Sequence, residues 1–111
     1  MNEGFQAVAK AAQLSEGQIL PVSTTAGKEV LLIKLVGSVF AIQAVCSHRE
    51  AWLDAGSLHP ESMEIQCPFH EGRFDLRSGA PTRLPPTEPI QTYQVQIQGD
   101  DVLLGPPKGE T

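Results

Sequence analysis

Cys46-Ser47-His48 and, after an eighteen-residue interval, Cys67-Pro68-Phe69-His70 decide how the rest of this chain is read. They contain both cysteines of the chain and two of its three histidines. Two thiolates and two imidazoles carried by two short loops can hold zinc or an iron–sulfur cluster. A zinc site usually separates its ligands into a Cys-Cys pair and a His-His pair. Here each loop supplies one of each, which suits a two-iron cluster with both cysteines on one iron and both histidines on the other. A disulfide is the plain alternative. It is disfavoured in a reducing compartment, and it leaves the paired histidines without a role.

Cys-x-His followed by Cys-Pro-x-His resembles the Rieske [2Fe–2S] signature, and the flanking text extends the likeness. Leu53-Asp54-Ala55-Gly56 after the first loop and Gly72-Arg73-Phe74-Asp75 after the second resemble the Rieske ferredoxins that serve bacterial oxygenases. The similarity runs from about Phe5 to about Leu104. It implies an all-β Rieske fold of stacked antiparallel sheets, with residues 45–75 forming a small cluster-binding subdomain. It also implies one [2Fe–2S] cluster held by Cys46, His48, Cys67 and His70.

The bulk properties agree. A chain of 111 residues suits one domain with a core of its own. Nine prolines and ten glycines favour short strands joined by loops. A formal charge of −5 provides no basic stripe for nucleic acid and fits a basic partner surface. No apolar run approaches the roughly 18 residues that span a membrane. Met1-Asn2-Glu3-Gly4 lacks the basic start of a secretory signal. The expectation is a cytoplasmic protein.

Along the chain, residues 5–9 alternate imperfectly as an edge strand, and 11–17 read as a loop with one helical turn. Residues 18–22 form a strand kept at an edge by Pro21. A turn at 24–27 leads to the apolar strand Glu29–Leu35, and Gly37-Ser38 fits a two-residue hairpin turn. Residues 39–45 then run into Cys46, so the first loop hangs from a central strand. Residues 57–63 are polar and turn-like. Short strands are expected at Glu64–Gln66 and Arg73–Asp75, with a turn at Ser78-Gly79. Residues 82–89, with Pro85, Pro86 and Pro89, read as a stiff loop outside any ladder. In Thr92–Gln98, Tyr93, Val95 and Ile97 share one face and three glutamines the other. Gly99-Asp100 turns into a strand at 102–104, and 106–111 is a loose tail.

Two neutral imidazoles in place of two thiolates make the oxidised site formally neutral, which eases reduction relative to all-cysteine ferredoxins. Backbone N–H groups of both loops are candidates to hydrogen-bond the sulfides, with Gly72 permitting a close turn. Respiratory Rieske proteins carry a serine and a tyrosine after the last histidine that donate to sulfur, where this chain has Gly72 and Phe74. It also lacks their loop disulfide. Both departures point to the low-potential, oxygenase-associated branch. Pro85 and Pro86 resemble the proline loop that covers the cluster in this family. His59 reads as an exposed loop histidine, and Asp54 and Asp75 as turn caps. Trp52 reads equally as packing beneath the loop or as a shield or docking residue. Glu50 and Glu71 flank the histidines and either attract a basic reductase or remain solvated.

The resulting expectation is a one-electron carrier, not itself an enzyme, that takes electrons from a flavin-dependent ferredoxin reductase and passes them to a terminal oxygenase. No substrate pocket, second metal motif or nucleotide fingerprint accompanies the loops. The runner-up is a small subunit like that of assimilatory nitrite reductase. From a different class, a zinc-stabilised interaction module would use the same four residues structurally.

Overall fold

The computed structural model describes residues 4–24, 27–45, 52–68, 72–83 and 88–108. Strand β3 (Glu29–Leu35) is apolar at almost every position because both of its faces are buried. Val30 and Leu32 face one core, with Leu14, Ala41, Val102 and Leu104. Leu31, Ile33 and Leu35 face another, with Ile42, Ala44, Leu53, Ile65, Cys67, Phe74, Leu76 and Ile90. Each fully buried Leu or Ile contributes about 1.5–3 kcal/mol. β3 is thus the partition between two packed layers.

The other strands are β1 Gln6–Lys10, β2 Ile19–Ser23, β4 Ser38–Gln43, β5 Ser57–His59, β6 Glu64–Gln66, β7 Arg73–Asp75, β8 Pro81–Arg83, β9 Thr92–Gln98 and β10 Asp101–Pro107. They form a six-stranded sheet in the order β1-β10-β9-β4-β3-β2 and a four-stranded sheet in the order β5-β6-β7-β8. Neighbouring strands pair antiparallel throughout. The fold is all-β, as the pattern of short strands and turns predicts. In the small sheet, Leu58, Ile65 and Phe74 turn towards the β3 core. Its other face carries His59, Glu64, Gln66 and Arg73.

Several boundaries differ from the sequence expectation, each for a reason of pairing. The β3–β4 turn is Val36-Gly37, not Gly37-Ser38, because Leu35 pairs with Ser38. Both turn residues have positive φ (51° and 77°), the conformation of the tight hairpin turn that matches strand twist. Glu16 braces this turn, accepting from the N–H groups of Val36 at 2.5 Å and Gly37 at 3.0 Å. The Gly37 bond, then that of Val36, holds its carboxyl below the usual carboxylate range. A β-branched residue at positive φ is strained by about 1–2 kcal/mol, and Val36 is 63% exposed, so little burial offsets it. Val36→Asn is therefore expected to stabilise the protein by about 1 kcal/mol, raising Tm by about 5 °C. An unchanged or lower Tm in a thermal melt rejects the strain.

Residues 57–59, read as polar loop, form β5 because β6 offers them an unpaired edge. Residues 81–83 form β8 despite Pro81, which tops an edge strand where no N–H is required. The expected loose tail begins later. β10 continues through Pro107 opposite Tyr93 past an irregularity, and the Lys108 N–H donates to the Thr92 carbonyl at 2.8 Å. The predicted Ser78-Gly79 turn is present. Gly79 has φ +80°, and a Cβ there would lie 2.1 Å from the Ile90 carbonyl oxygen, so only glycine fits. On β9, Tyr93 and Val95 pack inward as predicted, but Ile97 is exposed.

Candidate metal centre

The first of the two Cys-and-His loops follows the end of β4. Ala44 is buried against the β3 core, and its carbonyl accepts the Leu53 N–H at 2.8 Å. Val45 and Trp52 then form an antiparallel bridge. The residues on either side of 46–51 are therefore neighbours. Gln43 secures this junction through its amide, donating to the Val45 carbonyl at 2.6 Å and accepting the Gln91 N–H at 2.6 Å. Past the bridge, Leu53 is fully buried and opens a one-turn 3₁₀ helix, Leu53–Ala55.

The second loop follows β6. The Cys67 N–H donates to the Gly72 carbonyl at 2.7 Å, which holds together the two residues that flank 68–71. Cys67 is 3% exposed and packs in the same core as Leu53, Phe74 and Leu76, whereas Pro68 is exposed. One peptide bond thus marks where the loop leaves the core.

Gly56 brings the two bases together. Its backbone approaches β6 so closely that a Cβ would lie 2.2 Å from the Gln66 carbonyl oxygen and 3.0 Å from that of Leu53. The bases of the two loops, each of which carries one Cys and one His in sequence, are thereby held side by side on one core. Of the four expected ligands, Cys67 is described and stands at a loop base. Cys46, His48 and His70 lie outside the described residues, as do Glu50, Glu71, Pro85 and Pro86. Among the described residues no group of three or more His, Cys, Asp and Glu side chains comes together as an alternative metal site. The donor set of soft thiolate and borderline imidazole fits an iron–sulfur group.

A polar network covers the outer face of the small sheet next to Cys67. Gln66 Oε1 lies 2.8 Å from His59 Nε2 and accepts from Arg73 Nε at 3.1 Å. Arginine only donates, so the shared Gln66 atom is oxygen and His59 donates to it through Nε2. Arg73 also reaches Glu64 at 3.5 Å, while His59 Nδ1 lies 3.6 Å from Glu61. The Glu64 carboxyl is held below its usual range, chiefly by the neighbouring Thr82 side chain, with Arg73 adding to it against burial. His59 is therefore a half-buried strand residue, not the exposed loop histidine expected. Its neighbours were hidden because β5 was unrecognised. Gln66 opposite Arg73 was readable, since closing Cys67 on Gly72 places the preceding and following residues in register. Gln43 carried no sequence signal.

Asp75 caps its turn as expected, accepting from the N–H groups of Arg77 at 2.7 Å and Ser78 at 3.2 Å. Burial pushes its carboxyl up, but these bonds and the Arg77 guanidinium outweigh it and hold the pKa below the usual value. Trp52 is not buried: it is 52% exposed.

Comparison with known proteins bears on the same residues. The model of a family described as the Rieske [2Fe-2S] domain matches residues 4–94. The ferredoxin component of the naphthalene 1,2-dioxygenase system of Pseudomonas aeruginosa is 39% identical over 92 residues, covering 83% of this chain and 86% of that protein. The ferredoxin of carbazole 1,9a-dioxygenase from Nocardioides aromaticivorans superimposes with a TM-score of 0.86 at 44% identity, over 92% of this chain and 97% of that one. A chain from a complex of reduced oxygenase and oxidized ferredoxin in carbazole 1,9a-dioxygenase gives 0.86 at 26% identity, over 98% and 100%. A nitrite reductase small subunit from Mycobacterium tuberculosis, at 19% identity and a TM-score of 0.80 over 96% of each chain, shares the fold alone.

Proposed function

This chain belongs to the Rieske [2Fe–2S] family, and from that premise we propose that Cys46, His48, Cys67 and His70 hold its one [2Fe–2S] cluster. The protein is an electron carrier to a terminal oxygenase and not itself an enzyme. Residues 1–111 act as one domain, with 45–75 as the ligand-bearing part. The electron arrives from a flavin-dependent ferredoxin reductase, and the exchange takes place in the cytoplasm, where thiols stay reduced and available as ligands. Among the described residues no helix is long and apolar enough to cross a membrane.

The observation that carries this reading is the holding of the two loop bases side by side on one core, with Cys67 at the base of the second. When bound, the group supplies a one-electron couple that is formally neutral when oxidised, so reduction is easier than at an all-thiolate site. This chain's residues set how easy. Cys67 sits in the same apolar core as Phe74, which is fully buried and carries no hydroxyl to donate to sulfur. A donor at that place would stabilise the more negative reduced state. Without it, the midpoint is expected near the low end of the Rieske range, about −150 mV.

Phe74→Tyr is expected to raise the midpoint by about 40 mV if the new hydroxyl reaches the Cys67 sulfur, the equivalent of about 1 kcal/mol for one electron. Voltammetry giving a wild-type midpoint well above zero rejects the low-potential assignment. The carrier role is tested by mixing dithionite-reduced protein with oxidised terminal oxygenase of the naphthalene or carbazole systems in a stopped-flow instrument. Oxidation of the carrier matched by reduction of the oxygenase is the expected result. No transfer to either overturns the role.

A further inference from the structure

We propose that Trp52 is the apolar anchor by which this carrier seats on its terminal oxygenase, an inference that rests on the carrier role above. Three large apolar residues are strongly exposed among the described residues: Val36, Trp52 and Ile97. Val36 occupies the tight β3–β4 turn, at the opposite end of β4 from the ligand loop. Ile97 lies on β9 beside the β9–β10 turn. Trp52 alone of the three borders a ligand loop, directly after residues 46–51.

Its exposure is imposed by the backbone. Leu53 takes the core position with no exposed surface, and its N–H is tied to Ala44. The bridge to Val45 sets the strand direction, so the preceding side chain is turned outward. The indole cannot fold into the core without displacing Leu53 or opening the bridge. Pro68, at the base of the other ligand loop, is exposed as well. An apolar residue thus flanks each loop.

The surroundings describe the partner. Asp54 is exposed one residue beyond Leu53, and the chain carries a net charge of −5. An aromatic beside acidic charge fits a shallow apolar recess bordered by basic side chains. Charge attraction brings such partners together but leaves their register loose and is screened by salt. A buried indole supplies what charge does not, a short-range contact that lengthens the life of the docked state. Trp52 stands at the base of the first loop, so an acceptor seated over that base covers it, and a complex of an oxygenase with its ferredoxin is among the structures this chain resembles. The occupant assigned is the oxygenase.

The test compares wild-type protein with Trp52→Ala, Trp52→Phe and Ile97→Ala, all carrying the cluster and reduced with dithionite, as donors to the naphthalene and carbazole oxygenases. Trp52→Ala is expected to raise the apparent KM for the carrier about thirtyfold, with kcat, visible spectrum and midpoint unchanged. Trp52→Phe should restore most of the loss, and Ile97→Ala should match wild type. Trp52 is the single tryptophan of the chain, so fluorotryptophan labelling should give one fluorine resonance that shifts on adding oxygenase. A Trp52→Ala protein within twofold of wild-type KM overturns the anchor while leaving the carrier role intact. A loss confined to reduction by a ferredoxin reductase overturns the assignment to the oxygenase. Wild-type protein that reduces neither oxygenase overturns the carrier role itself.

Discussion

Cys67→Ala is expected to purify colourless, having lost the complement of about two irons and two sulfides carried by the wild type. The Cys67 side chain lies in the core with Leu53, Ile65 and Phe74. Its main chain closes the second loop on Gly72, so the loop base survives the substitution while the ligand does not. A cluster bound through both loops also acts as a cross-link between positions 46 and 67. Losing a link across a segment of that length costs about 3 kcal/mol in the loop-entropy picture, so the variant should also melt earlier. The equivalent changes at Cys46, His48 and His70 should behave alike, because the proposed site has four ligands and no spare. Elemental analysis and visible absorption are the measurements. Full iron content in any of the four variants removes that residue from the site. Stoichiometric zinc without iron in anaerobically purified wild type removes the cluster.

Gly56→Ala is expected to be severely damaging although it touches none of the proposed ligands. The added Cβ would meet the backbone oxygens of Gln66 at 2.2 Å and Leu53 at 3.0 Å, so neither contact can be relieved by a side-chain rotation. One of two backbones must retreat. Overpacking of this kind costs about 3 kcal/mol, which lowers Tm by roughly 15 °C in a domain of this size. The consequence extends beyond stability. Gln66 immediately precedes Cys67, and Leu53 follows the first loop, so the retreat spreads the two loop bases and iron content should fall as well. Gly99→Ala is the control. Nothing lies within 4 Å of a Cβ there, and its φ of +61° leaves only a conformational cost of about 1 kcal/mol. Equal melting temperatures for the two variants would falsify the close approach.

Legibility in the sequence followed the range of the signal. The loops spaced at Cys46 and Cys67 announce their chemistry because ligand types and intervals are local facts. β3, β6, β7 and β9 were readable to within a residue, their apolar or alternating runs being bounded by turn residues. β5 and β8 were not. Ser57–His59 and Pro81–Arg83 have no strand composition of their own and pair because β6 and β7 offer them edges. β10 outran its expected end for a similar reason, with Pro107 held opposite Tyr93.

By itself, then, the sequence determined the cofactor chemistry, the all-β class and the branch suggested by Gly72 and Phe74, since each depends on residue types at short, countable intervals. Only the tertiary structure decided how the two loops are brought together and what surrounds them. The approach of Gly56 to Gln66, the sharing of Gln66 between His59 and Arg73, and the outward turn of Trp52 each join segments through strand pairing. Pairing sets which face of a strand meets the core. A one-residue change of register would exchange Trp52 for Leu53, and no local pattern chooses between them.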